Sequence, residues 1–101
     1  MRLLVFFDLP MESPSEKTDY RIFRNYLIKQ GFVMMQKSVY CKIVLNPIVA
    51  ESVKKDVNAH LPKKGVVQLL CITERQFTSI EYLIGDKVSD VIDTKDRLVK
   101  L

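Results

Sequence analysis

Glycine, cysteine, histidine and tryptophan are scarce in this sequence, which contains three, two, one and none of them respectively. The three glycines lie far apart, so they cannot form a glycine-rich phosphate loop. His60 has no clustered partner, and neither Cys41 nor Cys71 has one at metal-ligand spacing, which excludes a zinc centre. No Ser-His-Asp set or Cys-His pair suggests a nucleophilic enzyme. We expect both cysteines to be buried thiols in a reducing compartment.

Long apolar runs are also missing. The first run, residues 2–7, ends at Asp8 and Pro10, which is too early for a signal peptide. No other stretch approaches the roughly 20 residues that a membrane-spanning helix needs. We therefore expect a cytoplasmic protein that makes no membrane contact.

Length and composition indicate one small folded domain. A chain of 101 residues can form a single thin core, and an apolar content of 48% excludes a disordered tail. Sixteen Lys and Arg against twelve Asp and Glu give a net charge of +4 and a pI near 9.1. This balance mildly favours polyanionic partners.

The pattern of residues predicts strands and helices in the order β-α-β-β-α-β. Ser13-Pro14-Ser15-Glu16 is typical of a capped helix start, and Asn46-Pro47 repeats this pattern before a second helix. Gly31 is expected to end the first helix and Pro62 the second. Strands are predicted at residues 2–7, 32–35, 38–45 and 66–72, and buried helix positions at Tyr20, Ile22, Phe23, Tyr26, Leu27, Ala50, Val53, Val57 and Leu61.

This order is typical of the ferredoxin-like α+β fold, a four-stranded antiparallel sheet with two helices on one face. We assign residues 1–85 to this domain, including a short helical turn capped by Thr73 and a short strand extension at 80–84. Residues 86–101 are predicted to be a polar linker and a last strand at 97–101.

The apolar residues on both faces of the predicted sheet indicate a symmetric homodimer. The strands that contain Leu3 and Val66 are apolar at successive positions, so both faces of the sheet need cover. Two helices cover one face, and a second copy of the chain is the simplest cover for the other. The C-terminal strand is then expected to pair with an edge of the partner's sheet. The alternative is a tail that folds back on its own sheet.

Asp8 is the first candidate for chemistry. It follows the apolar run of the predicted central strand, so its carboxylate is placed at the end of the sheet, where a divalent cation could bind. One Asp is a poor magnesium site, but two copies across a dimer axis, with waters and a phosphate, form a better one. The alternative is that Asp8 bonds backbone N–H groups in the following turn.

Basic residues form the second candidate. Lys17, Arg21 and Arg24 recur at helical spacing and share one face of the first helix. Phosphate binding needs such point charges and no base readout. The alternative is a solvated helix face with local ion pairs to Glu16 and Asp19. The predicted nucleic-acid-binding set is Lys17, Arg21, Arg24, Lys37, Lys54, Lys63 and Lys64.

Six segments together resemble CRISPR-associated protein two, in a form similar to that of type II systems of Gram-positive bacteria. They are Phe6-Phe7-Asp8-Leu9-Pro10, Tyr20-Arg21-Ile22-Phe23-Arg24, Gly31-Phe32-Val33-Met34, Ser38-Val39-Tyr40, Pro62-Lys63-Lys64-Gly65 and Thr73-Glu74-Arg75-Gln76-Phe77. The resemblance covers nearly the whole chain and is less specific after Gly85.

The resemblance implies a ferredoxin-like homodimer that works with CRISPR-associated protein one, the integrase that inserts short foreign DNA as a new spacer. It implies that the dimer bridges the integrase subunits, binds the double-stranded DNA prespacer by its phosphates and meets other adaptation proteins. Family members are also described as metal-dependent endonucleases. Asp8 matches the family's metal-binding and catalytic aspartate, with magnesium expected between the protomers.

Two functions are therefore predicted and stay open. In one, the protein is a DNA-binding adaptor in spacer acquisition and Asp8 is incidental. In the other, it is a magnesium-dependent endonuclease on RNA or DNA in which the Asp8 residues of both protomers hold the metal. The second has a weakness, since only Glu12 lies near Asp8 as another acidic group.

Overall fold

The structure is a computed structural model that describes residues 1–85. The predicted linker and C-terminal strand in 86–101 lie outside the described residues. The elements are β1 (Arg2–Asp8), α1 (Pro14–Lys29), β2 (Val33–Gln36), β3 (Val39–Ile43), α2 (Pro47–Asn58), β4 (Val66–Ile72) and the short α3 (Glu74–Thr78).

The four strands form one antiparallel sheet in the order β2-β3-β1-β4. This confirms the predicted ferredoxin-like α+β fold. β1 is central: Leu4 lies opposite Cys41 of β3 on one side and Leu70 of β4 on the other. The end of β1 therefore lies between two neighbouring strands, which determines what surrounds Asp8.

Local capping determines where the long helices begin. The Ser13 hydroxyl accepts a hydrogen bond from the Glu16 N–H at 3.2 Å, and the Glu16 carboxylate accepts one from the Ser13 N–H at 3.0 Å. This is the predicted capping box. Asn46 caps α2 in a similar way, accepting from the Val49 N–H at 2.9 Å.

The helix ends were predicted less accurately. Gly31 follows α1 with a φ of +94°, as expected for a residue in the left-handed region. α2 ends at Asn58, well before Pro62. The Ala59 and His60 N–H groups bond back to the last turn of α2, at 3.0 to 3.1 Å, and the chain then leaves the helix axis. Leu61 is consequently exposed instead of buried.

The core lies between the sheet and the two long helices. Leu3, Val5 and Phe7 alternate along β1 toward this layer, where Phe23 and Leu27 of α1 pack against them. The other buried residues of this core are Leu9, Phe32, Tyr40, Val44, Ala50 and Val57. Ile22 was predicted to be buried but is 59% exposed, because its position turns it away from the Phe23–Leu27 stripe.

The opposite face of the sheet, here called the open face, is partly covered by α3. The Arg2 guanidinium donates to both Glu74 oxygens at 3.0 and 3.1 Å and stacks 3.9 Å from the Phe77 ring centroid. The hydrogen bond from Arg2 holds the pKa of Glu74 below its ordinary value. Cys41 is also buried on this face, whereas Cys71 is half-buried.

The predicted strand extension at 80–84 is not a strand in the single chain. Residues 80–84 are exposed and adopt bends and irregular structure, because no neighbouring strand of the described chain hydrogen-bonds to them. A strand that forms only on pairing with a second copy stays a prediction. Within residues 1–85, no helix is long and apolar enough to span a membrane.

Candidate metal and nucleic-acid site

Asp8 is the last residue of β1 and lies opposite Val66 of β4, with its side chain exposed. The alternative prediction, that its carboxylate bonds backbone N–H groups of the next turn, is not what the structure shows. No residue in 1–85 hydrogen-bonds or ion-pairs with this carboxylate. Asp8 is therefore accessible to a cation from solvent.

Two turns flank Asp8. On the β3 side, the Phe7 N–H donates to the Ser38 carbonyl at 3.0 Å, which holds the β2–β3 turn against the end of β1. On the β4 side, Gly65 lies so close that a Cβ on it would be 2.7 Å from the Asp8 carbonyl oxygen. The backbone of Asp8 is thus fixed from both sides while its side chain stays free.

Substitution of Gly65 by alanine should destabilise the fold by about 2–3 kcal/mol, since a φ of +103° disfavours any side chain and the new Cβ would meet Asp8 and Leu9 backbone or side-chain atoms. Gly85 provides a matched control. It has a similar φ of +96° but nothing within 4 Å of its Cβ position, so Gly85→Ala should cost about 1 kcal/mol or less. Urea unfolding measures both, and equal losses would show that the close approach at Gly65 contributes nothing.

The donor set around Asp8 fits magnesium only in part. Among residues 1–85, no group of three or more His, Cys, Asp or Glu side chains could hold a metal ion. Glu12 does not join Asp8 in any contact: its side chain is exposed, and its N–H donates to the Glu16 carboxylate at 3.0 Å. Magnesium accepts one or two carboxylates with waters and a phosphate, so the single chain supplies half of such a site.

Lys17, Arg21 and Arg24, here called the α1 ridge, are exposed along one side of α1. None of them ion-pairs with a residue in 1–85. The predicted alternative, local ion pairs with Glu16 and Asp19, is not found within residues 1–85, and the Glu16 carboxylate instead completes the capping box. Its two backbone N–H donors, Ser13 and Glu12, hold the pKa of Glu16 below its ordinary value. The α1 ridge is therefore available to an anionic partner outside residues 1–85.

The α1 ridge faces away from α2. Tyr26 points toward α2, since its hydroxyl donates to Asp56 and its ring stacks on His60 with centroids 4.3 Å apart. At 100° per residue, Lys17 lies on the other side of α1 from Tyr26. Tyr20 donates from its hydroxyl to the Lys37 carbonyl at 3.1 Å, which brings Lys37 close to the α1 ridge.

The other predicted cations lie elsewhere. Lys63 and Lys64 are exposed beside a cavity of about 150 Å³ whose lining also includes Leu9, Glu16 and Asp19. Lys54 ion-pairs with Glu51 on α2 at 3.0 Å. The structure thus brings Lys37, Lys63 and Lys64 to the Asp8 end of the sheet and places Lys54 apart from them.

Comparison with known sequences identifies the family. The sequence model of the family described as CRISPR associated protein Cas2 matches residues 1–80. The chain belongs to the Cas2 family.

Relatives of similar length support this assignment. A protein named CRISPR-associated endoribonuclease Cas2 from Treponema denticola is 45% identical over the full length of both chains. One with the same name from Ligilactobacillus salivarius is 43% identical, also over the full length of both. The crystal structure of Streptococcus pyogenes Cas2 at pH 6.5 superposes with a TM-score of 0.61 at 18% identity, covering 82% of this chain and 99% of that one. At this identity the structural match supports the fold alone.

Sequence reasoning on this Cas2 family member missed the residues that fix the site. Tyr20, Ser38 and Gly65 were predicted as core, strand and turn, yet their contacts determine what lies beside Asp8. A usable signal was present: the short hairpin predicted around residues 36 and 37 returns the chain beside β1. Its exact register could not be derived without the paired strands.

Proposed function

We propose that this Cas2 family member is a homodimeric adaptor in spacer acquisition, which binds a double-stranded DNA prespacer and bridges the subunits of the integrase, CRISPR-associated protein one. The observation that carries this proposal is the α1 ridge, three cations without an ion-pair partner in residues 1–85. Positive side chains at helical spacing can bind the phosphates of a nucleic-acid backbone, and such contacts do not depend on the base sequence. We place the adaptor in the cytoplasm, in a type II system, alongside other adaptation proteins.

The open face of the sheet supports the homodimer. Leu70 is 50% exposed and Val66 is 54% exposed on this face of β4, where α3 is the one covering element among residues 1–85. Apolar side chains in a row on a sheet face favour association with a complementary apolar surface. A second copy provides this surface by two-fold symmetry.

Replacing Leu70 by arginine should convert the wild-type dimer to a monomer, because two buried guanidinium groups would face each other without partners across the axis. Analytical ultracentrifugation over a range of concentrations measures the change. Ile22→Arg is the matched control, since Ile22 is 59% exposed on α1 instead of the open face and its variant should stay dimeric. A dimeric Leu70→Arg protein with wild-type affinity would place the interface elsewhere.

A second candidate activity is that of a magnesium-dependent endonuclease, cleaving RNA or DNA with Asp8 of both protomers. The observation that favours it is the Asp8 carboxylate, exposed at the end of β1 without a partner in residues 1–85. Several relatives bear the name endoribonuclease. When bound, magnesium would polarise a phosphate and lower the pKa of a water. The two Asp8 side chains would hold it, and the flanking turns would keep those side chains in place.

A further inference from the structure

The tight turn between β2 and β3 lacks the backbone geometry that holds most two-residue hairpins in place. The turn consists of Lys37 and Ser38. Gln36 and Val39, on either side of it, are paired across the hairpin. No residue in 1–85 other than glycine has a positive φ, so this turn is neither of the two types whose twist matches that of the strands. Contacts from outside the hairpin therefore contribute to where Lys37 lies.

Other elements of the fold bind both carbonyl groups of this turn. The Phe7 N–H of β1 donates to the Ser38 carbonyl at 3.0 Å, and the Tyr20 hydroxyl of α1 donates to the Lys37 carbonyl at 3.1 Å. The Tyr20 ring also packs against the Phe7 ring, with centroids 5.7 Å apart. One tyrosine thus holds the turn against the helix layer.

Tyr20 is a neighbour of the α1 ridge on the helix surface. Lys17 precedes it by three residues and Arg24 follows it by four, the two spacings that place side chains next to each other on a helix. At about 100° per residue, Tyr20 and the whole α1 ridge fall within an arc of about 100°. Lys37 is exposed and has no ion-pair partner in residues 1–85. The bond from Tyr20 therefore holds this fourth cation on the side of α1 that carries the ridge.

We propose that Lys37 and the α1 ridge form one phosphate-binding surface, and that Tyr20 is the positioning residue that joins them. The Tyr20 hydroxyl holds the turn so that the Lys37 ammonium meets the same nucleic-acid strand as the α1 ridge. A lysine on a fixed backbone loses less conformational freedom on binding than one on a mobile turn. This inference rests on the proposed duplex binding and adds to it a fourth cation and the residue that places it.

A double-mutant cycle on duplex binding tests the positioning role. The wild-type protein, Tyr20→Phe, Lys37→Gln and the double variant are titrated with a labelled duplex by fluorescence anisotropy, over a series of salt concentrations. Tyr20→Phe removes the hydroxyl contact to Lys37 but keeps the ring against Phe7. Tyr26→Phe is the matched control for loss of a hydroxyl, because Tyr26 donates to Asp56 on the α2 side.

At low salt, Lys37→Gln should weaken binding about fivefold and make the slope of log affinity against log salt less steep by about 0.9, the effect of one lost phosphate contact. Tyr20→Phe should weaken binding about threefold when Lys37 is present and leave it unchanged when Lys37 is already replaced, as expected for two residues that act on one contact. Tyr26→Phe should bind duplex as the wild type does. Lys37→Arg, which keeps the charge, should keep the wild-type slope.

Two outcomes overturn this inference while leaving the adaptor proposal intact. A wild-type salt slope in Lys37→Gln would remove Lys37 from the phosphate-binding surface. Equal losses from Tyr20→Phe with and without Lys37 would show that the hydroxyl affects the fold in general and does not act through Lys37, and circular dichroism melts would show the same loss as a lower Tm. If the wild-type protein fails to bind duplex even at low salt, the proposed function fails and this surface with it.

Discussion

Reversing two charges of the α1 ridge, Arg21→Glu with Arg24→Glu, should weaken duplex binding on the order of 100-fold at low salt, since phosphate contacts dominate the affinity of such complexes. Affinity falls with rising salt, and each lost phosphate contact makes the slope of log affinity against log salt less steep by about 0.9. Losing two contacts per engaged protomer therefore makes it less steep by about 1.8. Both arginines are exposed and unpaired within residues 1–85, so the fold should not suffer. Anisotropy titrations between low and moderate salt give both quantities.

The matched control is Lys29→Glu with Lys55→Glu, which changes the net charge by the same amount. Both lysines are exposed and lie in the last turns of α1 and α2, away from the α1 ridge. If binding depended only on total charge, the two double variants would weaken it equally. A wild-type salt slope in the Arg21 and Arg24 variant would exclude the α1 ridge from the phosphate contacts.

Replacing Asp8 by alanine should lower any magnesium-dependent nuclease activity at least about 1,000-fold. A catalytic metal supplies several kcal/mol of transition-state stabilisation, and about 1.4 kcal/mol corresponds to each tenfold in rate. Spacer acquisition in cells should survive the same substitution, because the adaptor role uses the α1 ridge and the dimer. Cleavage of labelled RNA and DNA and sequencing of new spacers measure the two activities side by side.

Glu12→Gln is the control for loss of a nearby acidic group, since Glu12 is exposed on the loop after Asp8 and its side chain makes no contact with Asp8. It should leave both activities at wild-type levels. Loss of acquisition in Asp8→Ala, with the dimer and duplex binding intact, would contradict the adaptor proposal. Cleavage that persists in Asp8→Ala would contradict the endonuclease proposal instead.

The predictions that succeeded depend on local chemistry. Ser13 and Glu16, only three residues apart, satisfy each other's N–H groups in any context that permits a helix, so α1 begins where the pattern indicated. The same argument explains Asn46 at α2 and Thr73 at α3. The error at the end of α2 has the opposite origin. Pro62 only limits how far a helix can extend, and the chain turned earlier, after Asn58.

Local sequence patterns also placed each candidate residue on its strand, helix or loop, but they could not show which candidates lie close together in the fold. The predicted set of seven cations contained one that is ion-paired, Lys54, and three that lie in loops at the same end of the sheet as Asp8. Nothing in the spacing of Lys37, Lys63 and Lys64 distinguishes them from Lys54, because surface lysines carry the same signal whether or not they face a common ligand.

The amino-acid sequence by itself determined the order of elements, the capped helix starts, the alternating core of β1 and the resemblance to a family. Each of these depends on residues within a few positions of one another. Only the tertiary structure decided that the β2–β3 turn and Gly65 flank the end of β1. The physical reason is that strand register joins residues that are distant in the chain, and it is selected by the packing of the whole sheet.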